Sequence, residues 1–228
     1  MRFGLFYNLP KTLIAICSLR NIAWFGLAIG LTAFFVLTGF DWSYFIFFQH
    51  TIAYSFFFPG AAIGGGLVPI SLPLFLLLLA SIRKNKNVAN TAWALGQAAL
   101  LGLLVSSFIK VFTGRPGPEI GILTPLVDIS QVFRFGILRG GVFWGWPSSH
   151  TTVAFSMALT AVTLYPKNIT IKIIALLFAA YVGVGASMSF HWFSDFAAGT
   201  ILGAIIGAVV GKAFLKRVGS GSDARHQS

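Results

Sequence analysis

The chain has 228 residues, 57% of them hydrophobic and 9% charged, with a mean hydropathy of +0.85. A soluble domain carries about a quarter charged residues, so this composition excludes one and predicts an all-α, polytopic membrane helix bundle. The formal charge of +11 could suit a nucleic-acid partner, but its distribution along the chain assigns it to membrane topology, and no nucleic acid is expected.

About 20 apolar residues span a bilayer, and six stretches approach that length: 22–40, 61–82, 88–109, 149–165, 173–190 and 196–211. The first is long for a signal-peptide core and lacks a small-residue cleavage site, so it reads as an uncleaved helix. Between the first and second lies an aromatic strip, 42–58, broken by Asp41 at its head and by Gln49 and His50. It reads as an interfacial segment, since Trp and Tyr favour the headgroup level. Pro69 and Pro73 interrupt the second stretch, which predicts a kink or close packing there. Short polar connections, 83–87 and 166–172, join later stretches. The longest loop, 113–147, carries Pro116, Pro118, Pro125 and three arginines. A loop of that length in a compact bundle is more often functional than incidental. One domain is expected over 1–218, followed by a Gly/Ser-rich disordered tail over 219–228.

With six crossings, twelve of the sixteen Lys and Arg residues fall on one side, Arg2 and Arg225 among them. Lys110, Arg115, Arg134 and Arg139 fall on the other. The positive-inside rule then places both termini in the cytoplasm. Four of the five acidic residues (Asp41, Glu119, Asp128, Asp195) lie on the outer side. Cys17 is the single cysteine and cannot form an intramolecular disulfide.

The chemistry-bearing residues gather at that outer side. Lys110 closes the third apolar stretch, and alone it would read as a snorkelling anchor. Arg115 follows in a Gly114-Arg115-Pro116-Gly117-Pro118 turn, and a guanidinium held there suits a phosphate. Ser148, Ser149 and His150 open the fourth stretch after Pro147, where free backbone N–H groups favour an anion. Serine at that place also caps a helix. His191 and Asp195 are four apart before the sixth stretch, so one helical turn puts them together. A carboxylate on one imidazole nitrogen fixes the tautomer and leaves the other nitrogen to attack. Two histidines and an aspartate could also bind zinc, but the lysine and arginine beside them repel a cation, so no metal and no cofactor are expected. His50 and His226 stand alone, and Asp128, Arg134 and Arg139 read as loop residues, either arginine being within reach of the site.

This pattern resembles the type 2 phosphatidic acid phosphatase superfamily. That family shows a lysine, six residues and Arg-Pro; then Pro-Ser-Gly-His; then Ser-Arg, five residues, His, three residues and Asp. Here the corresponding segments run from Lys110 to Pro118, from Pro147 to His150, and from Val184 to Asp195. Gly117 and Gly185 stand where two of the family's arginines are expected, Val184 where its serine is, and Ser149 where its glycine is. The resemblance implies a metal-independent phosphatase acting on a phosphorylated lipid in the inner membrane of a bacterium, with its site facing the periplasm. It implies His191 as nucleophile, Asp195 as its orienting partner and His150 as acid. Lys110, Arg115, Ser148 and Ser149 would bind phosphate. A phosphotransferase on the same fold and a weakly catalytic phospholipid-binding relative remain open, as do the lipid and the oligomeric state.

Overall fold

The computed structural model describes residues 4–118, 127–140, 142 and 144–223, with side chains as far as Leu215. Arg2, Glu119, Pro125, Arg225 and His226 lie outside these residues. The described chain is all helix and loop. Its helices are α1 (Leu9–Ile16), α2 (Leu19–Leu37), α3 (Phe40–Phe48), α4 (Ile52–Pro59), α5 (Val68–Ile82), α6 (Lys86–Thr113), α7 (Ser149–Leu164), α8 (Ile169–Ser189) and α9 (Phe193–Asp223). A π-helical turn, Gly60–Gly64, links α4 to α5.

Side chains set several boundaries. Asn85 Oδ1 accepts from the N–H groups of Asn87 and Val88 and starts α6, and Asn168 Oδ1 accepts from Ile171 N–H and starts α8. Each satisfies donors that have no partner in a helix's first turn. Gly114, at φ +45°, ends α6 in the left-handed conformation that glycine adopts without penalty.

Four described helices, α2, α6, α8 and α9, are long and apolar enough to cross a membrane; a fifth crossing results if α4 and α5, bent by 55°, form one broken span. The bend falls at residues 65–67, between the π-helical turn and α5, just before Pro69. The aromatic strip is thus α3 and α4, and α4 runs on into the segment expected to begin at residue 61. Helix α7 has 16 residues, fewer than those four. Helix α9 continues to Asp223, five residues into the expected tail, while residues 224–228 lie outside the described ones.

The most extensive helix contact joins α7 to α9. Gly199, Gly203, Gly207 and Gly211 recur every fourth residue along α9 and press against α7. A Cβ on Gly203 would come within 2.6 Å of the Thr152 carbonyl oxygen, and one on Gly207 would strike that of Ser156. Thr160 Oγ1 donates to the Gly207 carbonyl at 3.2 Å. Small residues at this spacing let two backbones approach within a membrane. Leu101 of α6, Met157 of α7 and Ile206, Val210 and Phe214 of α9 close the core behind this seam. The result fixes the N-termini of α7 and α9 beside the C-terminus of α6, which is where the polar residues converge.

Candidate active site

His191 lies in the short link between α8 and α9, held by its own N–H donating to the Ala186 carbonyl at 2.9 Å. Its Nδ1 is 3.4 Å from Asp195 Oδ2, a long contact, and Asp195 stands in the first turn of α9. The same Oδ2 accepts from Trp192 N–H at 3.3 Å. With Nδ1 turned to the carboxylate, Nε2 is the nitrogen left for chemistry. Burial lowers the His191 pKa below the ordinary 6.5 and the Lys110 charge pushes the same way, both outweighing the opposing Asp195. The ring is therefore neutral at pH 7, as a nucleophile requires.

Asp195 Oδ1 accepts from Arg115 Nη1 at 2.5 Å. Arg115 is almost fully buried, and every one of its N–H directions is occupied. Nη1 also donates to Ser194 Oγ at 2.7 Å, Nη2 donates to Asp41 Oδ2 at 2.7 Å and to the Ser130 carbonyl, and Nε donates to that carbonyl at 3.2 Å. The guanidinium sits 4.7 Å from the Phe133 ring centroid and 5.7 Å from that of Trp192. Asp41, fully buried on α3, completes the network. Its two oxygens accept from Ser194 N–H at 2.8 Å and Ser194 Oγ at 2.6 Å, placing an anion at the N-terminus of α9. Asp128 Oδ1 accepts from Ser130 N–H at 2.9 Å and shapes the turn that presents the Ser130 carbonyl.

A cavity of about 970 Å³ opens on the other side of His191. His150, His191, Lys110 and Ser149 form its polar end. Ser107 on α6 also lines it; the rest is apolar, walled by Ala62, Pro69 and Ile70 around the bend, by Ala99, Leu100 and Leu103 on α6, and by Val153 on α7. Lys110 is 2% exposed overall and contributes to this wall. The His150 ring stacks on Phe190 at 5.6 Å and meets His191 edge-on at 6.0 Å. Its Nδ1 is buried without a hydrogen-bond partner among the described residues. Gly65 permits this pose, since a Cβ there would lie 2.6 Å from His150 Cδ2.

The predicted site residues thus divide. His191, His150, Lys110 and Ser149 share the cavity, with Asp195 directly behind His191. Arg115 and Ser148 do not line it. Ser148 is the cap of α7: its Oγ accepts from Thr151 N–H at 3.3 Å, and its N–H donates to the Asp195 carbonyl at 3.1 Å. Ser149 Oγ accepts from Ser106 Oγ at 2.9 Å. Arg134 and Arg139 are exposed and outside the cavity lining, so neither reaches in as the sequence allowed. Asp41 and Asp128 were missed. Asp41 carried a readable signal, a carboxylate at the head of an aromatic run; Asp128 carried none.

The two glycines in place of arginines are closely packed. A Cβ on Gly117 would come within 2.5 Å of the Phe190 carbonyl oxygen, and one on Gly185 would strike that of Phe57 in α4. Backbone occupies the space either side chain would need. Among the described residues, no group of three His, Cys, Asp or Glu is placed to hold a metal ion.

No curated protein and no solved structure matches the chain. The family model of the PAP2 superfamily matches residues 91–218, more than half of the chain and including His150, His191 and Asp195, and the chain is a member of that superfamily.

Proposed function

We propose that this protein is an integral membrane lipid phosphatase that works without a metal through a phosphohistidine. Membership of a phosphatase-type superfamily and the apolar helices fit a membrane phosphatase. The observation that carries the finer reading is the composition of one cavity, where two histidines and a lysine form one end and an apolar wall the remainder. A phosphate on an apolar chain matches both parts.

In this reading Lys110 and Ser149 hold the phosphate. His191 Nε2 attacks phosphorus, forming an N–P bond as the ester P–O bond breaks, and His150 protonates the leaving oxygen. Water then attacks the phosphohistidine, yielding its proton to His150 and releasing phosphate. Arg115 serves as a positioning residue that fixes Asp195, since its donors are committed to Asp41, Asp195, Ser130 and Ser194. The charge asymmetry of the sequence supports a site at the outer face of a bacterial inner membrane, both termini being cytoplasmic.

Phosphate release by purified protein in detergent, over a panel of phosphatidic acid, phosphatidylglycerol phosphate, undecaprenyl diphosphate and lipid A, without divalent metal, tests this. Release that disappears in His191→Ala is expected. No release from any of them, with the protein folded, would overturn it. The second reading, phosphoryl transfer to another lipid, uses the same first step; labelled phosphate arriving on a lipid acceptor instead of water would establish it.

A further inference from the structure

A second cavity, of about 1020 Å³, lies between α1, α2 and α9. It contributes nothing to the chemistry above. Three cations line it, Lys11 on α1, Arg20 in the first turn of α2 and Lys212 late in α9, and no Asp or Glu does. All three side chains are exposed.

The positions of these cations fix its depth. Lys212 follows Asp195 by 17 residues, about 25 Å along a helix at 1.5 Å per residue. Helix α2 runs antiparallel to α9, because Phe35 near its end packs on Phe193 at 5.0 Å. Arg20 therefore shares the end of the bundle remote from His191. Helix α1 is tied to the same end by Tyr7, whose ring meets Phe214 at 5.4 Å. From this cationic rim the cavity follows α9 back to Thr200, about 20 Å of helix from Ala213. That exceeds half of a hydrocarbon core about 30 Å thick. Its floor is apolar: Ile201, Ala204, Ile205 and Ala208.

We propose that this cavity is a binding site for an anionic glycerophospholipid of the leaflet opposite the catalytic site. The phosphate lies among Lys11, Arg20 and Lys212, and an acyl chain follows the alanine floor of α9. A basic pocket between helices at a membrane boundary selects anionic headgroups over zwitterionic ones. The length of the apolar floor supplies the rest of the recognition, which a free anion could not use.

Native mass spectrometry of the full chain, released from mild detergent containing equal amounts of phosphatidylglycerol and phosphatidylcholine with the same acyl chains, tests the assignment. Retention of phosphatidylglycerol at least roughly ten-fold above phosphatidylcholine is expected from three cations. The Lys11→Gln/Arg20→Gln/Lys212→Gln variant should lose that preference, and Ala204→Trp/Ala208→Trp should lose bound lipid of either kind. Lys110→Gln, which removes the cation of the catalytic cavity, should retain the preference, and this separates the two sites. Equal retention of the two lipids by the unaltered protein, or an unchanged preference in the triple variant, would overturn the proposal. Should the triple variant aggregate, Lys212→Gln alone must still weaken the preference, and no change there has the same overturning force.

Discussion

Asp195 divides its two oxygens between His191 and Arg115, and that division explains how a weak, long hydrogen bond can still orient the His191 ring. A carboxylate with one free oxygen would rotate. Here Oδ1 is anchored by a guanidinium that is itself anchored by Asp41, so Oδ2 has one place to point. Replacing Asp41 with Asn keeps the shape and removes the charge, leaving Arg115 with a single counter-carboxylate. Breaking a buried ion pair in this way costs about 3–5 kcal/mol. Asp41→Asn should therefore lower Tm and lower kcat with little change in KM, since Asp41 does not touch the cavity. Thermal denaturation beside lipid kinetics checks both, and an unaltered kcat would reduce Asp41 to a stability role. His191 makes a second residue-level prediction. Its pKa is held below 6.5 in the folded state, so the acid limb of kcat/KM should lie below pH 6.5. Stability follows the same sign. An unfolded imidazole takes up a proton as pH falls through 6.5, while the folded one resists until lower pH, so stability drops across that window. A His191→Gln variant should lose this part of the pH dependence in denaturant titrations.

At the scale of elements, the packing of α4 and the π-helical turn on α8 brings Phe57 and Ala61 against Gly185. This contact fills the place of an arginine expected from the family pattern. Reintroducing it as Gly185→Arg should fail to improve turnover and should destabilise the fold by more than the roughly 1–3 kcal/mol usual for overpacking, because backbone and not a movable side chain stands in the way. Retained Tm with raised kcat would contradict this. The long helices α2, α6, α8 and α9 were legible in the sequence because an apolar run of bilayer length admits few other structures. The His191–Asp195 pair was legible because a four-residue spacing fixes proximity locally. Asp41 was not placed, since its partners Arg115 and Ser194 lie 74 and 153 positions away and no local pattern encodes that meeting. The pairing of Arg115 with Asp41 and Asp195 was hidden for the same reason: an arginine beside two prolines looks alike whether it faces a phosphate or two aspartates. The glycine spacing on α9 was readable, and its use became evident only with α7 laid against it.

For the molecule as a whole, the distribution of cations makes a topological prediction. In a Cys17→Ser background, Ile137→Cys in the exposed outer loop should react with a membrane-impermeant maleimide in intact cells. Lys84→Cys, in the exposed turn after α5, should react only after permeabilisation. The opposite labelling pattern would invert the orientation. The apolar wall of the catalytic cavity carries a different consequence, for how the enzyme meets its substrate. A lipid entering along such a wall arrives by diffusion within the plane of the bilayer, so the concentration that matters is two-dimensional. Diluting a lipid phosphate with inert detergent in mixed micelles, at fixed bulk concentration, should lower the rate in proportion to its surface mole fraction. A rate that followed bulk concentration alone would mean that the phosphate comes to His191 from water.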